Sequence, residues 1–384
     1  MNNSFSKHND RLQIAWDASA LKSLQFCPRS YQYGNLEGWR TSSVDLDFGR
    51  LIAEGFERFK KSRLDGATTD EALLQVVRWA LEATYYEATE CVQGCHEEQT
   101  CGSDPCHMQD TQWGGRYESL WHCKGDKPYK NAKGNRAKCP NSHAGVFFPG
   151  DAPDICVECH GGTIETVRMY VPDSPNKNRQ SLLRTLVWYG LSQPEDIRDG
   201  YRPYVFPDGT QAVELSGRLP LPWRNSYGEQ YILSWNFDYI GEFGVEHFIT
   251  DNKTTKKTLD SSFFNAYSPD TQFDTYAMVG PIAYPDLNIK GVMLEGVQIL
   301  VGSSAFGMHP YYKTEEQNEE HFYDMKVWID QAERYALTGY WPMNKRNCWL
   351  CPFKGVCSLD PRDRQGALEA NFKRQPRWDP LHER

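Results

Sequence analysis

The placement of cysteine constrains this chain more than any other feature. Of its twelve cysteines, Cys27 stands alone near the amino end. Cys348, Cys351 and Cys357 form a C-x2-C-x5-C run near the carboxyl end, and the rest fall between residues 91 and 159. Residues 1–20 lack a secretory apolar segment and no apolar run reaches membrane-spanning length, so a cytoplasmic chain with no membrane partner is expected. A reducing compartment disfavours disulfides and makes metal binding the default reading of so many thiols. Three thiolates this close need a fourth to complete a tetrahedral set. Cys27, followed by Pro28, is the one cysteine ahead of the dense stretch. On spacing alone, zinc and an iron–sulfur cluster both accept such a set. Either would close a very long loop and restrict the unfolded chain.

The length of 384 residues allows two domains, or one large domain with an insertion, and 39% hydrophobic residues can build a core. Residues 1–16 read as a loose polar start. From 17 to 90 the pattern is helical: Asp17 can cap a helix through Ala20, Leu21, Leu24 and Phe26, and a second helix runs from about Phe48 to Arg63, with Lys60, Lys61 and Arg63 as its basic end. A third covers Asp70 to about Thr89. Residues 91–162 change character and read as an inserted, metal-knitted module with little apolar periodicity. It carries Cys91, Cys95, Cys101, Cys106, Cys123, Cys139, Cys156 and Cys159, with His96, His107, His122, His143 and His160 among them. One or two zinc sites are expected there, but only Cys156-x2-Cys159 has knuckle spacing, so the ligand sets stay open. The string Cys156-Val-Glu-Cys159-His160 also matches a c-type haem attachment sequence, which requires export and has no signal peptide to support it. The run Lys124–Lys138, with Lys127, Lys130, Lys133 and Arg136, reads either as a contact to DNA backbone or as a solvated loop.

From 163 to 358 helices alternate with strands. Lys177–Ser192 is predicted helical, Ala212–Leu219, Tyr231–Phe243 and His247–Lys253 are predicted strands, and Val292–Val301 is a buried strand. Asp270–Met278 starts a helix and Glu319–Leu337 is a long amphipathic one. Residues 359–384 form a polar tail, expected to be weakly ordered. The fold class is therefore α/β.

The net charge of −9 does not point to nucleic acid, nor does it exclude it, because affinity depends on local Lys and Arg that meet phosphates. The chemical signal lies on two predicted strands flanking Gly244. Alternation puts Ile249, Asp251 and Lys253 on one face, and if the strands pair, Asp238 comes alongside. Two converging carboxylates bind a hard cation such as magnesium or manganese, which activates a water and offsets charge on a scissile phosphate. A lysine beside them can orient that water or stabilise the pentavalent phosphorus centre. D-x-K by itself equally describes a surface strand whose Asp and Lys pair with each other. Gln272 and Tyr276, one turn apart on a predicted helix, add context.

Taken together, Phe237-Asp238-Tyr239-Ile240, Ile249-Thr250-Asp251-Asn252-Lys253-Thr254-Thr255 and Gln272…Tyr276 resemble the RecB-like branch of the PD-(D/E)XK nucleases. The likeness is to phage-encoded members and to the iron–sulfur nucleases related to AddB and to the CRISPR adaptation nucleases, over roughly residues 17–60 and 163–358. It implies a restriction-endonuclease-like core, a mixed central sheet flanked by helices, with a helical N-terminal part. It implies a metal-dependent DNA exonuclease acting on single strands or duplex ends, in company with recombination or replication proteins. Asp238 and Asp251 would then be metal ligands, Lys253 the catalytic lysine, Gln272 and Tyr276 supporting or DNA-contacting groups, and Cys27, Cys348, Cys351 and Cys357 the ligands of a 4Fe–4S cluster. Glu214 also falls where such proteins often carry a glutamate. Two departures stand out. Relatives place a metal-binding His four residues after a Gly on the first core helix, where this chain has Ala53 after Gly49; Glu54 or Glu57 could substitute, or lie on a solvated face. Relatives also have Gly three residues before the first Asp, where this chain has Trp235. Both leave open an alternative, a catalytically weakened DNA-binding or assembly protein on the same scaffold.

Overall fold

Aromatic and β-branched residues specify the two strands at the centre of the sheet. In Gln230–Phe243 the residues Tyr231, Leu233, Trp235, Phe237 and Tyr239 recur at every second position, Phe248 and Ile249 anchor Glu246–Thr255, and the tight turn between the two strands uses Gly244 at φ 62, a left-handed conformation open to glycine. The structure, a computed structural model, describes residues 4–40, 44–84, 115–131, 133–142, 148–149, 152–172, 174–196 and 199–382. The chain divides into two compact units, residues Met1–Val76 with Arg184–Arg384, and Val77–Leu183.

The larger unit is mixed α/β, a central mixed sheet flanked by helices. Its strands are β1 (Ala15–Trp16), β2 (Arg202–Pro203), β3 (Val213–Arg224), β4 (Gln230–Phe243), β5 (Glu246–Thr255), β6 (Ile289–Ile299) and β7 (Ser304–Tyr312). Strand β4 pairs antiparallel with β2, β3 and β5 and parallel with β1; β5 pairs parallel with β6, and β6 antiparallel with β7. A parallel β5–β6 pair needs a crossover, and helices Ser261–Asn265 and Thr271–Ala283 supply it. The flanking helices are α1 (Ala18–Phe26), α2 (Val44–Leu64), α3 (Arg179–Ser192, of which the part from Arg184 belongs here), α4 (Thr271–Ala283) and α5 (Glu315–Thr338). Leu21 and Leu24 of α1, Phe273 and Tyr276 of α4 and Met325 and Ile329 of α5 form one core with Ile240, Ile249 and Leu294 of the sheet. Among the described residues no helix is long and apolar enough to cross a membrane.

Both chain ends fold against this unit, contrary to the loose start and weakly ordered tail expected from their polarity. Leu12, Ala15 and Trp16 are wholly buried, and Ala15–Trp16 adds a strand beside Ile232 and Leu233. At the other end Arg364–Asn371 is a helix, and Lys373–Arg374 pairs with Trp39–Arg40. Leu368 and Phe372 pack with Tyr33, Trp39 and Phe353, and Trp378 donates its indole N–H to Asp17 Oδ2 at 3.0 Å. A few large apolar side chains at helical spacing are enough to order a segment whose average composition is polar.

Lys60, part of the basic helix end in the sequence, is 2% exposed. Its ammonium lies 2.7 Å from Glu295 Oε2 and 2.8 Å from the Tyr239 hydroxyl, and Tyr189 donates to Glu295 Oε1 at 2.8 Å. Burial pushes the Lys60 ammonium below its usual range, and Glu295 opposes that shift. Removing one member of a buried pair strands the other. Lys60→Met is expected to lower the unfolding free energy by about 3–5 kcal/mol in chemical denaturation, whereas Lys60→Met with Glu295→Leu recovers much of that loss.

The smaller unit is built on strand Gly115–Cys123, which pairs antiparallel with Phe148–Pro149 on one side and Ile164–Pro172 on the other. A short hairpin, Tyr129–Lys130 with Arg136–Ala137, follows the first strand. The expected end of the module at 162 therefore falls just before its third strand, whose partner lies some forty residues earlier in the chain.

Candidate functional site

Strand pairing places the acidic residues. The β4–β5 ladder matches Tyr239 with Thr250 and Ile240 with Ile249, so one step further along Asp238 and Asp251 reach the same face. Asp238 Oδ2 accepts the backbone N–H of Asn252 at 3.0 Å and its side-chain amide at 3.2 Å. Asp251 is buried, and its Oδ2 is in ion-pair contact with the Lys253 ammonium, two residues on along the strand. Burial pushes the Asp251 carboxyl up to about 6; Lys253 opposes the rise and Asp238 adds to it. Burial works against the charge on Lys253, but Asp251 and Asp238 together raise its pKa, so it stays cationic.

Helix α4 braces this group. Asp270 caps it by accepting the Gln272 N–H at 2.9 Å, which fixes Gln272 in the first turn. The Gln272 amide donates to Asp251 Oδ1 at 2.8 Å, and its oxygen accepts from Lys253 Nζ at 3.1 Å. One turn later the Tyr276 hydroxyl accepts from Gln272 Nε2 at 3.1 Å and donates to the Asn236 carbonyl at 2.7 Å. Asp251, Lys253, Gln272 and Tyr276 thus form one bonded group on a strand and a helix, and Asp238, held by Asn252, lies on the same face of the neighbouring strand.

Asp238 also lines a small cleft with Ala53, Glu57 and Lys60 of α2, Glu214 of β3, and Asn252. Of the two candidate glutamates on α2, Glu57 reaches this cleft while also pairing with Lys61. Glu54 points elsewhere, to Arg58 at 2.8 Å in an exposed pair. Glu214 has φ 51, an unusual conformation for a residue with a side chain. Sequence reading passed over Lys60 and Glu295. The available signal was a lone glutamate inside an otherwise apolar buried strand, a position that requires a partner.

A divalent cation fits the carboxylates by the chemistry of the donors: Asp238 and Asp251 present hard oxygen ligands from one face of the sheet, and Glu57 and Glu214 line the cleft beside Asp238. Metal binding requires the ionised carboxyl, so manganese affinity is expected to be full well above the Asp251 pKa and to weaken as pH falls through about 6. Calorimetric titrations at about pH 5 and about pH 7.5 check this; equal affinities would remove Asp251 from the ligand set.

Each unit also carries a group of cysteines. In the larger unit Cys27 is buried where α1 ends, and its sulfur accepts the Asn344 N–H at 3.3 Å. Asn344 and Asn347 side chains tie the Phe26 carbonyl to the segment bearing Cys348 at 3.1 and 2.6 Å. Burial raises the Cys351 thiol, and the neighbouring Cys27 and Cys348 add to the rise; Cys357 is raised in the same way beside Cys351 and Cys27. In the smaller unit the sulfurs of Cys123, Cys139, Cys156 and Cys159 are buried and lie within 4.8 Å of one another. This is the one group of that tightness among the described residues, and it can bind a metal ion. Two of its S···S separations, Cys123–Cys159 and Cys139–Cys156, are 3.6 Å. A Cβ at Gly162 would sit 2.5 Å from Cys159 Sγ and 2.8 Å from Cys123 Sγ, so only glycine fits against the sulfurs. His122 faces Glu165 at 3.3 Å and takes no place in this group, and nor does His160. Cys91, Cys95, Cys101, Cys106, His96, His107 and His143 lie outside the described residues.

A scan against protein-family models finds no match, and a search of curated proteins finds no similar sequence.

Proposed function

We propose that the chain is a divalent-metal-dependent deoxyribonuclease of the PD-(D/E)XK type, acting as an exonuclease on single strands or duplex ends in phage or prokaryotic DNA recombination or processing. The observation that carries this reading is the junction of Asp238, Asp251 and Lys253, with Gln272 bonded to both Asp251 and Lys253. Asp238 and Asp251, with Glu57 as a further oxygen donor, would hold magnesium or manganese. That ion, when bound, supplies Lewis acidity and a lowered pKa for its water. The Lys253 ammonium is held where it can orient the attacking water and offset negative charge on the phosphoryl oxygens. Gln272 fixes the carboxylate and the amine relative to each other, and Tyr276 holds Gln272 against the strand backbone. Incubation of labelled single- and double-stranded DNA with manganese tests the reading: shortening of the strands supports it, and retardation without cutting favours a catalytically weakened DNA-binding protein. Ala53 in the cleft wall, where relatives carry a His, is the observation behind that second reading.

The sulfur spacings favour different metals in the two cysteine sets. A single zinc ion at about 2.3 Å from each sulfur puts tetrahedral sulfurs roughly 3.8 Å apart, close to the spacing in the smaller unit. One zinc is the reading for Cys123, Cys139, Cys156 and Cys159. Cys27, Cys348, Cys351 and Cys357 are neighbours without forming so tight a group, as suits the wider corners of a 4Fe–4S cluster. Cys27→Ser in anaerobically purified protein is expected to lose the brown iron–sulfur absorbance and to melt several degrees lower; unchanged absorbance and iron content would remove Cys27 from the set.

A further inference from the structure

The hairpin of the smaller unit has a composition that the catalytic reading does not use. Between Cys123 and Cys139, two members of the four-cysteine group, lie Lys124, Lys127, Lys130, Lys133, Arg136 and Lys138, against Asp126 as the sole acid. In a chain of net charge −9 this is a local reversal of sign. Asp126 is committed to Thr163, whose backbone N–H it accepts at 2.8 Å. Lys124 has a distant partner, Glu165 at 3.8 Å. Lys130, Lys133, Arg136 and Lys138 are exposed and have no carboxylate within ion-pair reach among the described residues.

The backbone that carries these charges is fixed at both ends. Its base is pinned by Cys123 and Cys139, and Lys124 N–H bonds to the Thr163 carbonyl at 2.9 Å. At its tip Asn131 Oδ1 accepts the N–H groups of Lys133 and Asn135 at 3.0 and 3.1 Å, and Gly134 takes φ 76. Like charges concentrated on a constrained hairpin repel each other and destabilise it unless an external anion offsets them. The exposed hairpin positions bear no large apolar side chain to enter a lipid surface, so charge complementarity favours a polyanion with regularly spaced phosphates.

We propose that the hairpin Tyr129–Ala137 and its flanking lysines are a contact surface for the phosphate backbone of DNA. As to partner, this inference rests on the nuclease reading; its own content is sequence-independent phosphate binding. The test uses full-length, metal-loaded protein carrying Lys253→Ala, so that DNA is not consumed. Binding to a labelled duplex is followed by fluorescence anisotropy over a range of salt concentrations, with and without Lys127→Ser, Lys130→Ser, Lys133→Ser and Arg136→Ser together. Affinity should fall by at least about tenfold for every DNA sequence tried, and the slope of log K against log salt should shrink by about 2 to 4. Replacing the three lysines by arginine instead should retain affinity, which separates lost charge from lost folding. Equal affinity and slope in the serine variant would overturn the proposal, as would charge-dependent binding to phosphatidylserine vesicles with none to DNA. If parental protein fails to cut DNA and the serine variant still loses salt-dependent binding, the nuclease reading falls and the hairpin contact stands.

Discussion

Replacing Lys253 by alanine is expected to slow manganese-dependent DNA cleavage by roughly three orders of magnitude, the scale on which a single preorganised charge-stabilising group acts in a low-dielectric site. The expectation follows from where the ammonium is held. Asp251 and Gln272 fix it beside the carboxylates, a position that a flexible surface cation does not reproduce. Asp251→Ala and Asp238→Ala should cost at least as much, through loss of the metal. Gln272→Ala should cost less, about ten- to a hundredfold, because it orients the reacting groups without meeting the phosphate. Single-turnover cleavage of end-labelled DNA gives the rates, and iron and zinc contents show whether each variant is folded. Loss of activity with both metals retained is the expected pattern. Lys253→Ala or Asp251→Ala protein that cuts as fast as the parent would end the catalytic assignment.

What sequence reading reached and missed follows the range of the forces involved. Asp251 and Lys253 share a face because of strand alternation, a local property, and Gln272 and Tyr276 share one because of helical periodicity. Asp17 marks its helix in the sequence as a cap, and at the helix start expected at Asp270 the structure shows a cap as well, since an N-cap acts within three residues. The Lys60–Glu295 pair joins residues 235 apart, and a lysine among helix-ending basic residues gives no local hint of burial. The order of the tail is not legible locally, because Leu368 and Phe372 gain their burial from Tyr33, Trp39 and Phe353, which are distant in sequence. The four-cysteine group escaped for the same reason. Cys123 ends one strand and Ile164 begins its partner, so the pairing of Cys123 with Ile164 draws Cys156 and Cys159 toward Cys123; spacing along the chain does not show it. Of the two α2 glutamates, periodicity could not choose, and only the position of the cleft separates Glu57 from Glu54.

Removing the metal from the smaller unit is expected to unfold its core. Among the described residues the apolar side chains packed on the four sulfurs are Tyr129 and Ile164, with Trp121 stacked on Phe148 in the sheet, so the metal is expected to supply much of what joins the hairpin to the strands. A structural zinc site contributes about 10–16 kcal/mol of apparent binding free energy at neutral pH, more than such a core supplies. Its thiols need a cation to ionise together: burial pushes Cys123 and Cys139 up, whereas at Cys156 burial is opposed by the backbone N–H groups of Cys159 and Glu158 and the pKa falls. The Gly125 N–H also points at Cys123 Sγ from 3.3 Å. Cys156→Ser should therefore purify with one zinc fewer per chain and be cleaved rapidly by protease between residues 115 and 172. A strong chelator should do the same to the parent, and added zinc should restore protection in the parent alone. Gly162→Val gives an independent probe, because its side chain would occupy the space against Cys159 and Cys123 sulfurs while leaving every ligand in place. It should lose zinc as Cys156→Ser does. Full zinc content and unaltered protease resistance in both variants would show that the four sulfurs are buried neighbours and no more.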